Sequence, residues 1–391
     1  MRRLIGSVAV GLALVACSDG PSGPEPPEGF VYSAVAAGGQ HSCGLAPGDA
    51  VYCWGRGNQW ALGDGTGQSS PVPVRTRVTG TVLEVSAGIA HSCALTDDAS
   101  VRCWGWNRYG QIGVGDNSDH GYPVTLTFPG SGGIATISAG WFHTCALDQL
   151  GQAYCWGGNA QGQLGDGTRA DSNRPVPVAT DERFASISAG ADHTCAVTLG
   201  GGALCWGLNH RGQLGTGHTE GALVPAPVVG GHSFRSVSAG FDHSCGVRTD
   251  QAVLCWGSNE SGQLGNGGLS GPGQPGSVSP HRILRPDAAM SVSAGYGFTC
   301  AVSTAHHAWC WGRGEAHQLG LGRFDDFTVP QRILDRDISF ATVSARGLTH
   351  ACAVSRHGAA YCWGTGQHGQ LGAANVRISP VPVRVSEGVT R

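Results

Sequence analysis

Histidine, cysteine, tryptophan and glycine crowd into residues 143–168, HTCALDQLGQAYCWGGNAQGQLGDGT. Three kinds of chemistry suit those residue types. Cys145 with His143 could form a nucleophile and its base, which needs a free thiolate and a third, orienting group. Cysteine and histidine could hold a structural metal, usually through C-x(2–4)-C knuckles on tight turns. The tail LGDGT could cradle phosphate if a helix N-terminus followed, or bind calcium if several oxygens converged.

The rest of the chain weakens these readings. Apart from Cys17, the fifteen cysteines form seven pairs: Cys43 and Cys53, Cys93 and Cys103, Cys145 and Cys155, Cys195 and Cys205, Cys245 and Cys255, Cys300 and Cys310, Cys352 and Cys362. Each pair is spaced by ten residues, pairs recur every 50 to 55, and Trp-Gly follows every second cysteine. A single catalytic site has no reason to be repeated seven times, and ten residues form no metal knuckle. In a hairpin such as HTCAL-DQLGQ-AYCWG the two cysteines are equally far from the turn and face each other. Opposed positions bring Cβ atoms to about 4.5–5.5 Å, near disulfide distance. The spacing therefore predicts one disulfide per repeat, each contributing about 2.5–3 kcal/mol by loop closure. Reduced packing cysteines and a metal set are the alternatives.

Histidine precedes the first cysteine by two in six copies (His41, His91, His143, His193, His243, His350), and Phe298 takes its place in the remaining one. One histidine per repeat at a framework position predicts a hydrogen bond to a neighbouring backbone carbonyl rather than a metal ring, and phenylalanine substitutes without apparent compensation. The Asp of the LGDGT tails becomes Val114, Thr216, Asn266, Leu321 and Ala373 elsewhere, so a turn is predicted. No catalytic residue, metal or cofactor is assigned.

The elements that must position these residues are strands. Glycine fills 65 positions, and each interior glycine costs a helix about 1 kcal/mol. Short Val/Ala/Leu/Tyr/Trp runs broken by Gly, Asn, Asp and Pro recur without a helical period, which predicts an all-β chain. Net charge is −3 with arginine as the only long cation and no dense basic cluster, which argues against nucleic-acid binding. A period near fifty residues signals a propeller or a solenoid. Each unit reads Ser-Ala-Gly, two variable residues, His-Ser/Thr-Cys-Ala-Leu/Val, a turn, Tyr/Leu-Cys-Trp-Gly, a Gly-Gln-Leu-Gly turn, and Pro-Val-Pro-Val.

That unit resembles the repeat of the regulator of chromosome condensation family over residues 31–391. The resemblance implies a seven-bladed β-propeller, with repeats at about 31–80, 81–132, 133–182, 183–232, 233–286, 287–338 and 339–391. It also implies binding through a propeller face: family members act as nuclear exchange factors for a small GTPase, and a secreted bacterial member inhibits β-lactamase face-on.

Several local expectations follow. Gly57, Asn107, Asn159, Asn209, Asn259, Gly314 and Gly366 occupy one position where a left-handed turn is predicted. Alternation puts His143, Cys145 and Leu147 on one blade face and Tyr154 and Trp156 on the other. Pro-Val-Pro-Val is predicted at the outer edge. Copy seven, Ser344-Ala345-Arg346-Gly347-Leu348-Thr349-His350, is one residue longer and predicts a bulge. The terminal Pro380–Val383 run completes the last blade or pairs with the first. Asn266–Pro280, the longest insertion, reads as a mobile loop.

Residues 1–16 carry Arg2 and Arg3 and an apolar stretch from Leu4 to Ala16, too short for a core of about 30 Å, and read as an export signal. Leu14-Val15-Ala16-Cys17 resembles a bacterial lipobox, which implies lipidation at Cys17. The Pro/Gly/Ser-rich residues 17–30 are predicted to be a tether. The expected location is the bacterial cell envelope (outer membrane or cell surface), with secretion as second choice. The lipid is then the only membrane contact, and a monomer is expected.

Where copies vary, binding can reside. The two residues between Ser-Ala-Gly and His should ring one mouth of the disc, and Ile89, Trp141, Phe142, Asp192, Phe241, Asp242, Tyr296 and Leu348 are the candidates. Clustered aromatics are typical interface anchors; the alternative is that they cap the core. The expected function is a non-catalytic module for a protein or glycan. A polysaccharide-active enzyme with a central-channel site and a nucleotide-exchange activity are the competing readings.

Overall fold

The protein is described by a computed structural model over residues 30–46, 50–130, 132–334 and 338–387. Cys17, the signal-like stretch and the tether up to residue 29 lie outside the described residues. Among the described residues twenty-eight strands form seven four-stranded sheets, each from consecutive strands. In the third, Ile134–Ala139 is followed by His143–Asp148, Ala153–Gly157 and Ser172–Pro177, all antiparallel. Ala87, Ala139, Ala189, Ala239 and Ala294 meet around one axial channel, which makes the first strand of each blade the innermost. The proline-bearing strand is the outer edge, as its missing donors require.

Register explains the core. Cys145 stands opposite Cys155, His143 opposite Gly157 and Thr144 opposite Trp156. Cys145, Leu147, Ala153 and Cys155 therefore share a face, which packs on Trp206 and Ala196 of the fourth blade. Trp156 and Ala146, on the opposite face, pack on Cys93, Leu95, Val101 and Cys103 of the second.

The cysteines pair within each repeat, as the ten-residue spacing predicts. Cys43 is bonded to Cys53, Cys93 to Cys103, Cys145 to Cys155 and Cys195 to Cys205. Cys245 is bonded to Cys255, Cys300 to Cys310 and Cys352 to Cys362. Their Cα atoms stand 4.0–4.1 Å apart, because each pair occupies directly opposed ladder positions. The ring closes blade against blade. Val383 pairs with Cys362, so the terminal strand completes the last blade, and Ala37 N donates to Ser344 Oγ at 2.9 Å across the seam.

The histidines differ from expectation in their partner. His143 Nε2 lies 2.8 Å from Thr194 Oγ1 of the next blade, and that hydroxyl donates to Gln163 O at 2.9 Å. Because the hydroxyl proton is already committed to the carbonyl, Nε2 is the donor to Thr194. Trp206 Nε1 donates to the same carbonyl. The link recurs between His41 and Ser92, His91 and Thr144, His193 and Ser244, His243 and Thr299, and His350 and Ser42. Phe298 is compensated after all. The hydroxyl it would have faced is Ala351, and the two pack together in one buried cluster. Missing donor and missing acceptor are matched across the blade interface.

Two further expectations are corrected. Positive φ falls not on Asn107 and its equivalents but two residues earlier, on Gly55, Gly105, Gly157, Gly207, Gly257, Gly312 and Gly364. The asparagines instead tie the following loop: Asn159 Oδ1 accepts from Leu164 N and Nδ2 donates to Ala170 O. At Gly314 the need is for space, since a Cβ would lie 1.9 Å from Asp325 O. In copy seven the extra residue makes no ladder bulge at its own position. The innermost ladder ends at Ser344–Cys352, and the added residue lengthens the connection and places Arg346 in the channel.

Candidate functional site

The connections between the first and second strands ring one mouth of the channel. Their backbones are linked blade to blade: Ile89 N donates to Gly140 O, Trp141 N to Gly190 O, Ala191 N to Gly240 O, and Phe241 N to Gly295 O. The Ser-Ala-Gly glycine permits this closeness, because a Cβ on Gly190 would lie 2.6 Å from Gly240 O. The framework thus fixes the turns and leaves the next two side chains to converge over the axis.

Trp141, Phe241 and Tyr296 do converge, although they come from the third, fifth and sixth blades. Ring centroids are 4.6 Å apart for Trp141–Phe241, 4.8 Å for Phe241–Tyr296 and 5.7 Å for Trp141–Tyr296. Phe142 turns outward from this group to Trp106 and Tyr109, at 6.1 and 5.6 Å. All four aromatics are half-buried, so they cap one another and still present ring surface. Ile89, Phe142 and Leu348 line a separate pocket over the first two blades.

Asp192 and Asp242 sit half-buried on the same mouth. Burial pushes the Asp242 carboxyl up to about 6, with Glu260 adding and Arg211 opposing. Asp192 is raised by burial and then by the Asp242 charge, while Gln163 Nε2 donates to it at 3.2 Å. The long fifth-copy loop is held on this side, where Gly273 N donates to Glu260 and Arg211 Nη1 to Gln274 O.

The channel below is lined by alanine and glycine and is occluded. Arg346 donates to Ser138 Oγ, Ala139 O, Ser188 Oγ and Ala189 O, bracing two blades from the seventh. Burial lowers its pKa to about 10 against the pull of Glu84, so it remains charged at neutral pH. Glu84 is pushed up to about 7 by burial, although Thr136 and Ile137 donate to it. Beneath Trp141 the channel retains about 10 Å³, room for a water. Among the described residues no group of three His, Cys, Asp or Glu converges as a metal site.

Sequence reading misses Trp106, Arg56 and Arg346. Trp106 and Arg56 occupy the variable position after Cys-Trp-Gly, which reads as a turn rather than as part of the mouth. Arg346 is visible as the inserted residue of copy seven, but its direction is not.

Family models match most of the chain: an RCC1-like domain over residues 11–346, and a regulator of chromosome condensation (RCC1) repeat over 357–391 and again over 340–370. Among curated proteins, the ultraviolet-B receptor UVR8 of Arabidopsis thaliana is 35% identical over 24% of this chain and 22% of its own length. Probable E3 ubiquitin-protein ligase HERC6 of Homo sapiens is 35% identical over 25% of this chain. The matched stretches span only 22% and 10% of those two relatives. Among solved structures, human WBSCR16 superimposes with a TM-score of 0.78 at 22% identity, covering 87% of this chain and 97% of its own. Yeast RCC1 (Prp20), solved bound to Kap60, gives 0.72 at 25% identity, covering 80% and 78%.

Proposed function

The chain belongs to the regulator of chromosome condensation (RCC1) repeat family, and from that premise we propose that it is a non-catalytic binding module, lipid-anchored at a bacterial cell envelope, which presents the mouth of its inner connections to a protein or glycan. The observation that carries this reading is the Trp141–Phe241–Tyr296 cluster. Three different blades, the third, fifth and sixth, place aromatic rings at one point, although the repeat framework specifies no aromatic there. Half-buried, mutually packed aromatics lose little entropy on binding and make effective anchors.

The polysaccharide-active alternative asks the axial channel for substrate space and paired carboxylates. Room for one water, an arginine plug and Glu84 favour the binding module instead. Nucleotide exchange is the third reading; a chain exported into an oxidising compartment would not meet a cytosolic GTPase. Seven disulfides support that compartment.

Immobilised protein should capture a partner from envelope extracts, and Trp141→Ala combined with Phe241→Ala should lower capture at least about tenfold, as loss of an interface hot spot does. Phe128→Ala, which disturbs a packing contact with Tyr154 and Trp156 in the core between the second and third blades, controls for stability. Equal loss in both variants, or capture unchanged by the double variant, would count against the mouth as the binding surface. For the anchor, Cys17→Ala should abolish incorporation of labelled palmitate and release the chain to the soluble fraction. Labelling that survives the substitution contradicts lipidation at Cys17.

A further inference from the structure

Beside the aromatic cluster a pocket of about 310 Å³ opens over the first two blades, floored by Ile89, Ala90, Phe142 and Leu348 and walled by Trp106 and Arg56. Arg56 is held by two neutral amides: Nη1 donates to Gln40 Oε1 at 2.6 Å and Nε to Asn58 Oδ1 at 2.7 Å. Its Nη2 has no hydrogen-bond partner among the described residues. The equivalent residue of the sixth blade, Arg313, is ion-paired with Glu315. Asn58 occupies the place of that glutamate, so the same brace is built without cancelling the charge. Arg211 on the same mouth is likewise neutralised, by Glu260 at 3.0 Å. The nearby His368 is held below its ordinary pKa by burial and by the Arg56 charge, consistent with a local field left positive.

A fixed guanidinium with a free edge above an apolar floor fits a planar anion on an apolar body. We propose that this pocket takes an acidic side chain of a protein partner, an aspartate or glutamate flanked by an aromatic or leucine residue, with the carboxylate on Arg56 and the flanking side chain on Phe142 and Ile89. The pocket volume, at the small end of ligand sites, holds about one such pair of side chains. The inference deepens the mouth-binding reading and rests on it, naming the partner's chemistry.

The probes are two blocked peptides, acetyl-Phe-Asp-Leu-amide and acetyl-Phe-Asn-Leu-amide, with glucuronic acid as the sugar-borne carboxylate, each titrated calorimetrically into the full chain. The aspartyl peptide should bind at least about tenfold more tightly than its asparaginyl twin, the difference expected for a charged hydrogen bond. Arg56→Gln should remove that difference. Asn58→Glu, an exposed change that copies the sixth blade, should remove it as well. Peptide titration needs no captured partner, so a failure of the cluster to capture one from extracts is separable from a failure of this pocket. Equal affinity for the two peptides, no saturable binding up to about 10 mM, or binding of glucuronic acid alone would overturn the proposal.

Discussion

Thr299→Ala is expected to destabilise the ring by about 2 kcal/mol, and adding His243→Phe to it should restore most of that loss. Thr299 accepts from His243 Nε2 at 2.8 Å and donates to Gln263 O at 2.9 Å, and all three groups are buried. Removing the hydroxyl leaves a buried N–H with no acceptor, and the cost of such an orphan is about 1–3 kcal/mol. The carbonyl suffers less, because Trp311 Nε1 still donates to it at 2.8 Å. His243→Phe alone fails differently: a ring carbon meets the hydroxyl where a nitrogen made a short contact, an overpacking worth about 1–3 kcal/mol. Together the two changes reproduce what the protein builds between its sixth and seventh blades, where Phe298 and Ala351 are both fully buried and Gln318 O receives Trp363 Nε1. Urea midpoints of the four proteins with disulfides intact give the cycle, and a coupling of about 2 kcal/mol or more is expected. A double variant as unstable as the sum of its singles would refute the pairing.

This pairing also marks what sequence could and could not reveal. His243 and Thr299 are 56 residues apart, and reading down one column of the repeat finds Phe298 as an isolated exception. Only when one blade's second strand is set beside the next does Ala351 become its complement. Features internal to a repeat were legible: the pairing of Cys145 with Cys155 and the opposite face of Trp156 follow from strand alternation, and the outer place of the Pro-Val-Pro-Val run follows from proline's missing donors. Features made by neighbouring repeats were not. The asparagine position shows the same limit, because Asn159 earns its place through side-chain bonds to a loop eleven residues on, whereas a φ preference concerns only its own backbone. At the mouth, the identity of the converging aromatics was legible, but the opposing directions of Trp141 and Phe142 depend on ring closure. Arg56 differs from Arg313 only through a neighbour two residues later, a distinction that matters once both are known to line the mouth.

Mild acid should unfold this propeller at a pH where most disulfide-linked β domains are unaffected. Six histidines are buried and held neutral: burial keeps His41 at about 4 and His91, His143, His193, His243 and His350 at about 3. In the unfolded chain each would take its proton near about 6.5. Below that value the unfolded state binds more protons, so stability is complete above a pH of about 6.5 and is lost as pH falls, by about 1.4 kcal/mol per unit for each histidine. Three carboxyls oppose the loss. Glu84, Asp192 and Asp242 have raised folded pKa values, so they take up protons in the fold first and gain stability on acidification. The six buried imidazoles are joined by His210 and His368, whose pKa values burial also lowers. Together they outnumber the three carboxyls, so unfolding takes up several protons net as pH falls below about 6, each removing about 1.4 kcal/mol per unit. A domain stability of about 5–15 kcal/mol is consumed within a few units at that slope. The seven buried tryptophans supply the readout, as fluorescence in urea titrations at pH 7, 6 and 5. The His243→Phe, Thr299→Ala protein should show the slope reduced by one proton, because its altered interface has nothing left to titrate. A urea midpoint that stays level from pH 7 to 4.5 would mean the imidazoles take up protons inside the fold, which would require solvent to reach the His–hydroxyl links between the blades.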